Sequence, residues 1–157
     1  MSEKVFVGAD HAGFELKESV KKFLKSKGYE VEDVGNSKYD LNDDYPDFAF
    51  ALGKKVVSSK NKGILFCGSA EGICIAANKV KGIRAVAVWT VLNAKLSRAH
   101  NDANVLCLAG GNMLKPAGGL AQKHAEKIIL TWLKTKFCNE ERHVRRLNNI
   151  QRFESVH

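Results

Sequence analysis

Residues 63–73 read GILFCGSAEGI, an apolar run that passes into a glycine-containing loop. This pattern predicts a buried strand followed by the start of a helix, and the thiol of Cys67 stands where the strand ends. The first N–H groups of a helix have no internal partners and carry positive charge, so such a place favours anions. The same field would lower the pKa of the thiol toward neutrality. Cys67 is therefore a candidate base or nucleophile, and a buried packing residue is the alternative.

The same alternation of strand and helix continues along the chain. We predict strands at residues 5–9, 29–34, 63–66, 83–89 and 104–108, helices at 14–27, 46–59, 73–79, 91–99 and 115–136, and a helical tail from 140. Five strand–helix units with short links imply parallel strands, and right-handed crossovers place helices on both faces. We therefore expect a Rossmann-like α/β/α sandwich with a five-stranded parallel sheet and a C-terminal helical tail, the chain 1–157 forming a single domain.

Composition restricts the function classes. The chain has 157 residues, of which 45% are hydrophobic and 27% are charged, as is usual for a globular protein. Residues 1–4 do not resemble a signal segment and no apolar run is long enough for a bilayer, so we expect a cytoplasmic protein. The cysteines at 67, 74, 107 and 138 form no C-x-x-C pair and have no histidines at zinc-finger spacing, so we predict neither a metal site nor disulfides. The nucleotide-binding G-x-G-x-x-G and P-loop patterns are missing from the sequence, and no cofactor is predicted.

Positive charge is concentrated toward the C-terminus. The formal charge is +8, and the segment from Lys115 onward holds nine Lys or Arg against four Asp or Glu, a net +5. Such a segment binds nucleic acid in some proteins, whereas in others a few of its arginines bind the phosphate of a small ester. The composition leaves both interpretations open.

Polar and glycine residues follow three of the predicted strands. Residues 10–11, 67–69 and 110–112 come directly after the first, third and fifth strands. Ligands of open parallel sheets bind beyond the carboxyl ends of the strands, so we expect these segments to meet. Residues 100–102 instead lie between the fourth helix and the fifth strand, at the opposite edge of the sheet. Within one chain they should be far from Cys67.

Motifs over nearly the whole chain resemble those of type B ribose-5-phosphate isomerase and of the related allose and galactose 6-phosphate isomerases. The matching segments are Asp10-His11-Ala12-Gly13, Asp44-Tyr45-Pro46-Asp47, Cys67-Gly68-Ser69 with Gly72-Ile73, Ala76 to Lys79, Gly82 to Ala85, Leu96-Ser97-Arg98, His100 to Leu106, and the end from Thr131-Trp132-Leu133 through Phe137 to Arg142-His143 and Arg146. The resemblance implies an aldose–ketose isomerisation through a cis-enediolate.

The resemblance also implies roles for individual residues. Cys67 would be the base that moves a proton between C1 and C2, Ser69 would orient the thiol or bind sugar oxygens, and His100 would be the acid that opens the furanose ring. The implied substrate-binding residues are Asp10, His11, Gly68, Ser69, Ala70, Glu71, Gly72, Asn101, Arg142 and Arg146. Asp10 and Asn101 would bind sugar hydroxyls, whereas the phosphate would lie among His11 and the two arginines.

Since residues 100–102 lie far from Cys67, the resemblance implies a homodimer or tetramer whose active sites are shared between subunits, with the basic tail 137–157 at the dimer interface. Two departures from the family concern the site. Ala70-Glu71 replaces a glycine and an apolar or amide residue, and a carboxylate facing Cys67 would raise the pKa of the thiol, so we expect Glu71 to point outward. No arginine lies near Gly111, where Lys115 is a candidate substitute. A hexose 6-phosphate substrate, or a non-catalytic module that binds a sugar phosphate or nucleic acid, is therefore kept as an alternative.

Overall fold

A computed structural model of the protein describes residues 3–111 and 119–156. Its elements are β1 (Lys4–Ala9), α1 (Phe14–Ser26), β2 (Glu30–Asp33), α2 (Tyr45–Ser59), β3 (Lys62–Cys67), α3 (Glu71–Ala77), β4 (Ala85–Ala87), α4 (Val91–Asn101), β5 (Val105–Ala109), α5 (Gln122–Lys134) and α6 (Glu141–Val156). The alternation of strands and helices predicted from the sequence is confirmed.

The five strands form one parallel sheet in the order β2-β1-β3-β5-β4. Strands β1, β3 and β5 lie at its centre, and their near-continuous apolar sequences are buried on both faces, as parallel strands beneath helices require. The register between β3 and β5 pairs Gly63 with Val105 and Cys67 with Ala109. Cys67 therefore stands level with the carboxyl end of β5.

Helices cover both faces of the sheet, which confirms the α/β/α architecture. Helices α1, α4 and α5 pack on one face around a core that includes the fully buried Trp132. Helices α2 and α3 cover the other face, where Leu52 and Ile73 are fully buried. Because both helix layers supply apolar side chains, the sheet has two separate hydrophobic cores.

Helix α6 lies outside these layers and contacts α4. His143 is its one buried residue, and its surface carries the exposed apolar side chains Ile150, Phe153 and Val156. In the described part of the chain, no helix combines the length and the apolar character needed to cross a membrane.

Several predicted boundaries differ from the structure by one or two residues, such as the strand predicted at 83–89, which is Ala85–Ala87, and two errors bear on the site. The helix predicted over 115–136 begins at Gln122, because the N–H of Leu120 bonds to the Ala109 carbonyl at 3.0 Å and holds Leu120 against the end of β5. Residues 112–118, which include Lys115, lie outside the described residues. The second error concerns α4, which continues to Asn101, so that His100 belongs to its last turn and Asp102 ends the helix with a left-handed φ of 44°.

Candidate active site

The loops that follow β1, β3 and β5 are joined by backbone hydrogen bonds. The N–H of Asp10 bonds to Phe66 O at 3.3 Å, that of Gly110 to Cys67 O at 2.7 Å, and that of Gly111 to Gly68 O at 3.1 Å. Residues 10–11, 67–69 and 110–111 therefore meet as predicted, and residue 112 lies outside the described residues.

Gly13 allows the first loop to pack this closely. A Cβ atom at this position would lie 2.4 Å from the carbonyl carbon and oxygen of Phe66, too close for any other residue. The N–H of Gly13 donates to Oδ1 of Asp10 at 3.1 Å. The glycine therefore brings α1 against the end of β3 and fixes the Asp10 carboxylate, which is 5% exposed, beside the loop of Cys67.

The loop after Cys67 turns sharply into α3. Cys67 is 4% exposed and Ser69 is half-buried, whereas Glu71 is exposed. Ala70 is fully buried at the N-cap of α3 with a φ of 70°. This left-handed conformation costs a non-glycine residue about 1–2 kcal/mol, which explains why glycine suits the position in the resembled family.

Burial and a neighbouring carboxylate determine the protonation of the thiol. Burial raises the pKa of Cys67, and the negative charge of Asp10 raises it further. The N–H groups of Ile73, Ala70 and Ser69 act in the opposite direction, as expected for the start of a helix. The expectation that the pKa of Cys67 is lowered is therefore wrong in its net direction, because desolvation of the thiolate outweighs the N–H groups.

His11 is held by Asp43, a residue outside the motifs that match the family. Oδ1 of Asp43 lies 2.7 Å from Nδ1 of His11 and accepts its backbone N–H at 2.9 Å. The ring therefore carries its proton on Nδ1, and Nε2 is the nitrogen left for a ligand. Asn36 donates through its amide to the second oxygen of Asp43.

Lys17 holds the loop that contains Asn36. Its side chain is fully buried, and Nζ donates to Asp33 Oδ2 at 2.7 Å and to the carbonyl of Asn36 at 2.7 Å. A third bond runs from Nζ to the carbonyl of Gly35. A buried ammonium group with these partners ties α1 to the loop after β2, and so indirectly positions Asp43 and His11.

A second group of predicted site residues lies at the other edge of the sheet. The rings of His100 and His143 stack with their centroids 4.4 Å apart and their planes 8° from parallel. Burial lowers the pKa of His143, and the charges of His100 and Arg142 lower it further. Arg142 and Arg146 are exposed on the same helix, α6.

The two groups are separated by the length of the sheet. α4 carries His100 and Asn101 and leads into the amino end of β5, whereas Cys67 pairs with its last residue, Ala109. Four residues of strand span about 13 Å. The predicted separation of residues 100–102 from Cys67 is confirmed, and one chain holds two halves of the predicted site.

The family model described as Ribose/Galactose Isomerase matches residues 5–150. The chain belongs to this family. A relative named probable ribose-5-phosphate isomerase B, from Mycoplasma genitalium, is 42% identical over 156 residues, covering 98% of this chain and 97% of the relative. Ribose-5-phosphate isomerase B of Mycobacterium tuberculosis is 39% identical over 155 residues, covering 98% and 91%.

Solved structures agree with this assignment to the Ribose/Galactose Isomerase family. The structure of ribose-5-phosphate isomerase B from Mycoplasma genitalium with bound ribulose-5-phosphate superimposes with a TM-score of 0.89 at 42% identity, covering 99% of this chain and 98% of that one. The enzyme from Clostridium thermocellum gives a TM-score of 0.89 at 40% identity and 98% coverage of both chains. The resemblance to type B ribose-5-phosphate isomerase is confirmed.

Proposed function

We propose that this chain interconverts ribose 5-phosphate and ribulose 5-phosphate. The observation that carries the proposal is the position of Cys67 at the carboxyl end of β3, beside buried Asp10 and the N–H groups that begin α3. The similarity over nearly the full length to isomerases named for this substrate supports it. Oxyanion-binding N–H groups beside a proton acceptor are what an enediolate intermediate requires.

The chemistry begins with the ring-closed sugar. His100 protonates the ring oxygen as the C1 hydroxyl loses its proton, which gives the open aldehyde. The Cys67 thiolate then removes the proton from C2, and the electron pair moves to give a cis-enediolate whose charge is stabilised by N–H groups in the loop 68–72. The C2 hydroxyl then passes its proton to the C1 oxygen, and Cys67 returns the carbon-bound proton to C1, which gives the C2 ketone and restores the thiolate. Asp10 and Asn101 bind hydroxyl groups, and Ser69 orients the thiol.

We propose that each site is completed by a second copy of the chain. Cys67, Asp10 and His11 come from one subunit, and His100, Asn101, Arg142 and Arg146 come from its partner, because the length of the sheet separates these groups within one chain. The tail 137–157 then lies at the interface. The exposed apolar side chains of α4 and α6, among them Leu92 and Ile150, support burial of these helices against a second copy.

We propose a cytoplasmic location for the reaction. The four cysteines are free, with Cys67 and Cys107 buried. Unpaired thiols are typical of a reducing compartment, and the proposed thiolate base requires one.

The proposal is tested by assaying the purified protein with ribose 5-phosphate, allose 6-phosphate and galactose 6-phosphate. Turnover of the pentose ester at the highest kcat/KM is the expected result, and preference for a hexose ester would overturn the substrate assignment. Cys67→Ala should lower kcat by at least about 10², the contribution expected of a general base. Cys74→Ser is the matched control, because Cys74 lies on α3 outside the proposed site.

The shared site has its own test. Cys67→Ala and His100→Gln chains are each expected to be nearly inactive, and mixing them should restore activity, since one of the two sites in each hybrid dimer then has both native residues. Subunit exchange is confirmed by mass spectrometry. An absence of recovery after confirmed exchange would place Cys67 and His100 in sites of the same chain.

A further inference from the structure

The segment that joins α5 to α6 brings together a thiol, a carboxylate and an imidazole. Among the described residues, Cys138, Glu140 and His143 are the group of His, Cys, Asp and Glu side chains close enough to hold a metal ion, with all three ligand atoms within 4.8 Å of one another. The spacing is C-x-E-x-x-H, which differs from the spacings of paired cysteines and of zinc-finger histidines.

The backbone fixes the positions of the three residues. The N–H of Cys138 bonds to Ala99 O at 3.0 Å, which attaches the segment to α4. Asn139 then turns the chain with a left-handed φ of 56°. The carbonyl of Glu140 accepts the N–H groups of His143 at 2.9 Å and Val144 at 3.0 Å, which begins α6. The three side chains therefore converge because of a fixed turn rather than a loose loop.

One ring nitrogen of the imidazole in this group lacks a hydrogen-bond partner among the described residues. His143 is 6% exposed, and its Nε2 is buried without a hydrogen-bond partner among the described residues. The same atom lies 4.0 Å from Oε2 of Glu140, within the cluster. Burying a polar nitrogen without a partner is costly, so a ligand that accepts its lone pair would stabilise this arrangement.

We propose that Cys138, Glu140 and His143 bind a zinc-like divalent cation. Thiolate, imidazole and carboxylate are the ligands that Zn²⁺ prefers, at bond lengths of about 2.0–2.3 Å. Tetrahedral coordination at these bond lengths separates ligand atoms by about 3.3–3.6 Å. The three ligand atoms, which lie within 4.8 Å of one another, therefore approach by roughly 1 Å when the metal binds. Water takes the fourth position.

Arg142 is the cation that now contacts Glu140, with 2.9 Å between Nε and Oε2. Its side chain is 57% exposed and that of Glu140 is 52% exposed, and an ion pair so open to solvent is weak. The carboxylate also has a second oxygen. The arginine therefore does not prevent the carboxylate from binding a metal.

Co²⁺ titration of the Cys67→Ala protein tests the proposal, since Co²⁺ replaces zinc and its thiolate ligands give a charge-transfer band in the near ultraviolet. Removing Cys67 eliminates a competing thiol. We expect one Co²⁺ per chain, a charge-transfer band, displacement by Zn²⁺, and no displacement by Mg²⁺, which prefers oxygen ligands. An absent band would overturn the proposal.

The ligands are assigned with matched variants. Loss of an outer-shell partner already weakens metal affinity by about 10- to 100-fold, so adding Cys138→Ser or Glu140→Gln should weaken it by more than tenfold, and Cys138→Ser should abolish the band. Cys74→Ser and Glu141→Gln should leave both unchanged. A band that survives in Cys138→Ser, or equal affinity of the Glu140→Gln and Glu141→Gln proteins, would reject the site. None of these measurements requires turnover, so their failure would leave the isomerase proposal intact.

Discussion

Nδ1 of His11 lies 2.7 Å from Oδ1 of Asp43, and the same carboxylate oxygen accepts the backbone N–H of His11 at 2.9 Å. The two residues are 32 positions apart and come from the loops after β1 and β2. One acidic side chain thus sets both the backbone and the ring orientation of a histidine that we place at the substrate phosphate. Asp43 is therefore a positioning residue for the proposed reaction.

Replacement of Asp43 should weaken substrate binding more than it slows chemistry. In Asp43→Ala, His11 loses two charge-assisted hydrogen bonds, each of the order of 1.5–3 kcal/mol, so we expect KM for ribose 5-phosphate to rise about tenfold or more with kcat changed far less. Steady-state kinetics measure both. Asp44→Ala is the matched control, because Asp44 at the start of α2 makes no side-chain capping bond. Equal effects of the two variants would contradict the role of Asp43.

Asp10 should lower the reactivity of the thiol, in addition to the effect of burial. Its negative charge raises the pKa of Cys67, so Asp10→Asn should lower that pKa, increase the thiolate fraction at neutral pH and speed alkylation. The rate of iodoacetamide modification at Cys67, followed against pH by peptide mass spectrometry, should show its midpoint displaced to lower pH.

Glu71→Gln is the control for this experiment. Glu71 is exposed and closer to Cys67 in sequence, so its removal should leave the midpoint of alkylation unchanged. A displacement in Glu71→Gln and none in Asp10→Asn would reverse the assignment. The comparison separates nearness along the chain from nearness in the fold.

Lys17 should contribute more to the free energy of unfolding than an exposed lysine does. Lys17→Met removes one of the two ammonium partners of Asp33 and leaves the carbonyls of Gly35 and Asn36 without theirs, and breaking a buried pair of this kind costs about 3–5 kcal/mol. Lys21→Met, which removes the other lysine that contacts Asp33, should cost about 0–1 kcal/mol, because Lys21 is 21% exposed. Urea unfolding measures both, and equal losses would contradict the importance of burial.

The sequence predicted the features that follow from simple patterns. Apolar runs located β1, β3 and β5, and the rule that ligands lie beyond the carboxyl ends of parallel strands correctly brought Asp10 to Cys67. The same reasoning correctly placed His100 at the opposite edge. These inferences succeed because the hydrophobic effect determines which segments are buried. The order of strands and helices along the chain then determines at which edge of the sheet each loop lies.

Other features depend on contacts that no local pattern encodes. Lys17 lies in an amphipathic helix where lysine is usually exposed, and its burial depends on carbonyl groups of a loop 18 and 19 residues away. The net direction of the pKa of Cys67 depends on how deeply the fold buries the thiol, although the opposing N–H groups could be anticipated. The start of α5 depends on the bond from Leu120 to Ala109.

The last prediction concerns the basic tail 137–157. It distinguishes a phosphate clamp, meaning one phosphate bound by Arg142 and Arg146, from a surface that binds nucleic acid. Arg142 and Arg146 are four residues apart on α6, so they share one face and can bind one phosphate. Arg142→Ala or Arg146→Ala should raise KM by a factor that corresponds to a loss of about 1.5–3 kcal/mol in binding free energy, the value of a charge-assisted hydrogen bond. Lys123→Ala, Lys127→Ala and Lys134→Ala on α5 are the controls and should leave KM nearly unchanged.

Nucleic-acid binding would instead distribute the binding free energy over many basic residues of the tail, and it would weaken steeply with salt. Comparable losses at the lysines, or retention of DNA or RNA at physiological salt, would reject the clamp and assign the net charge of the tail to a polyanion.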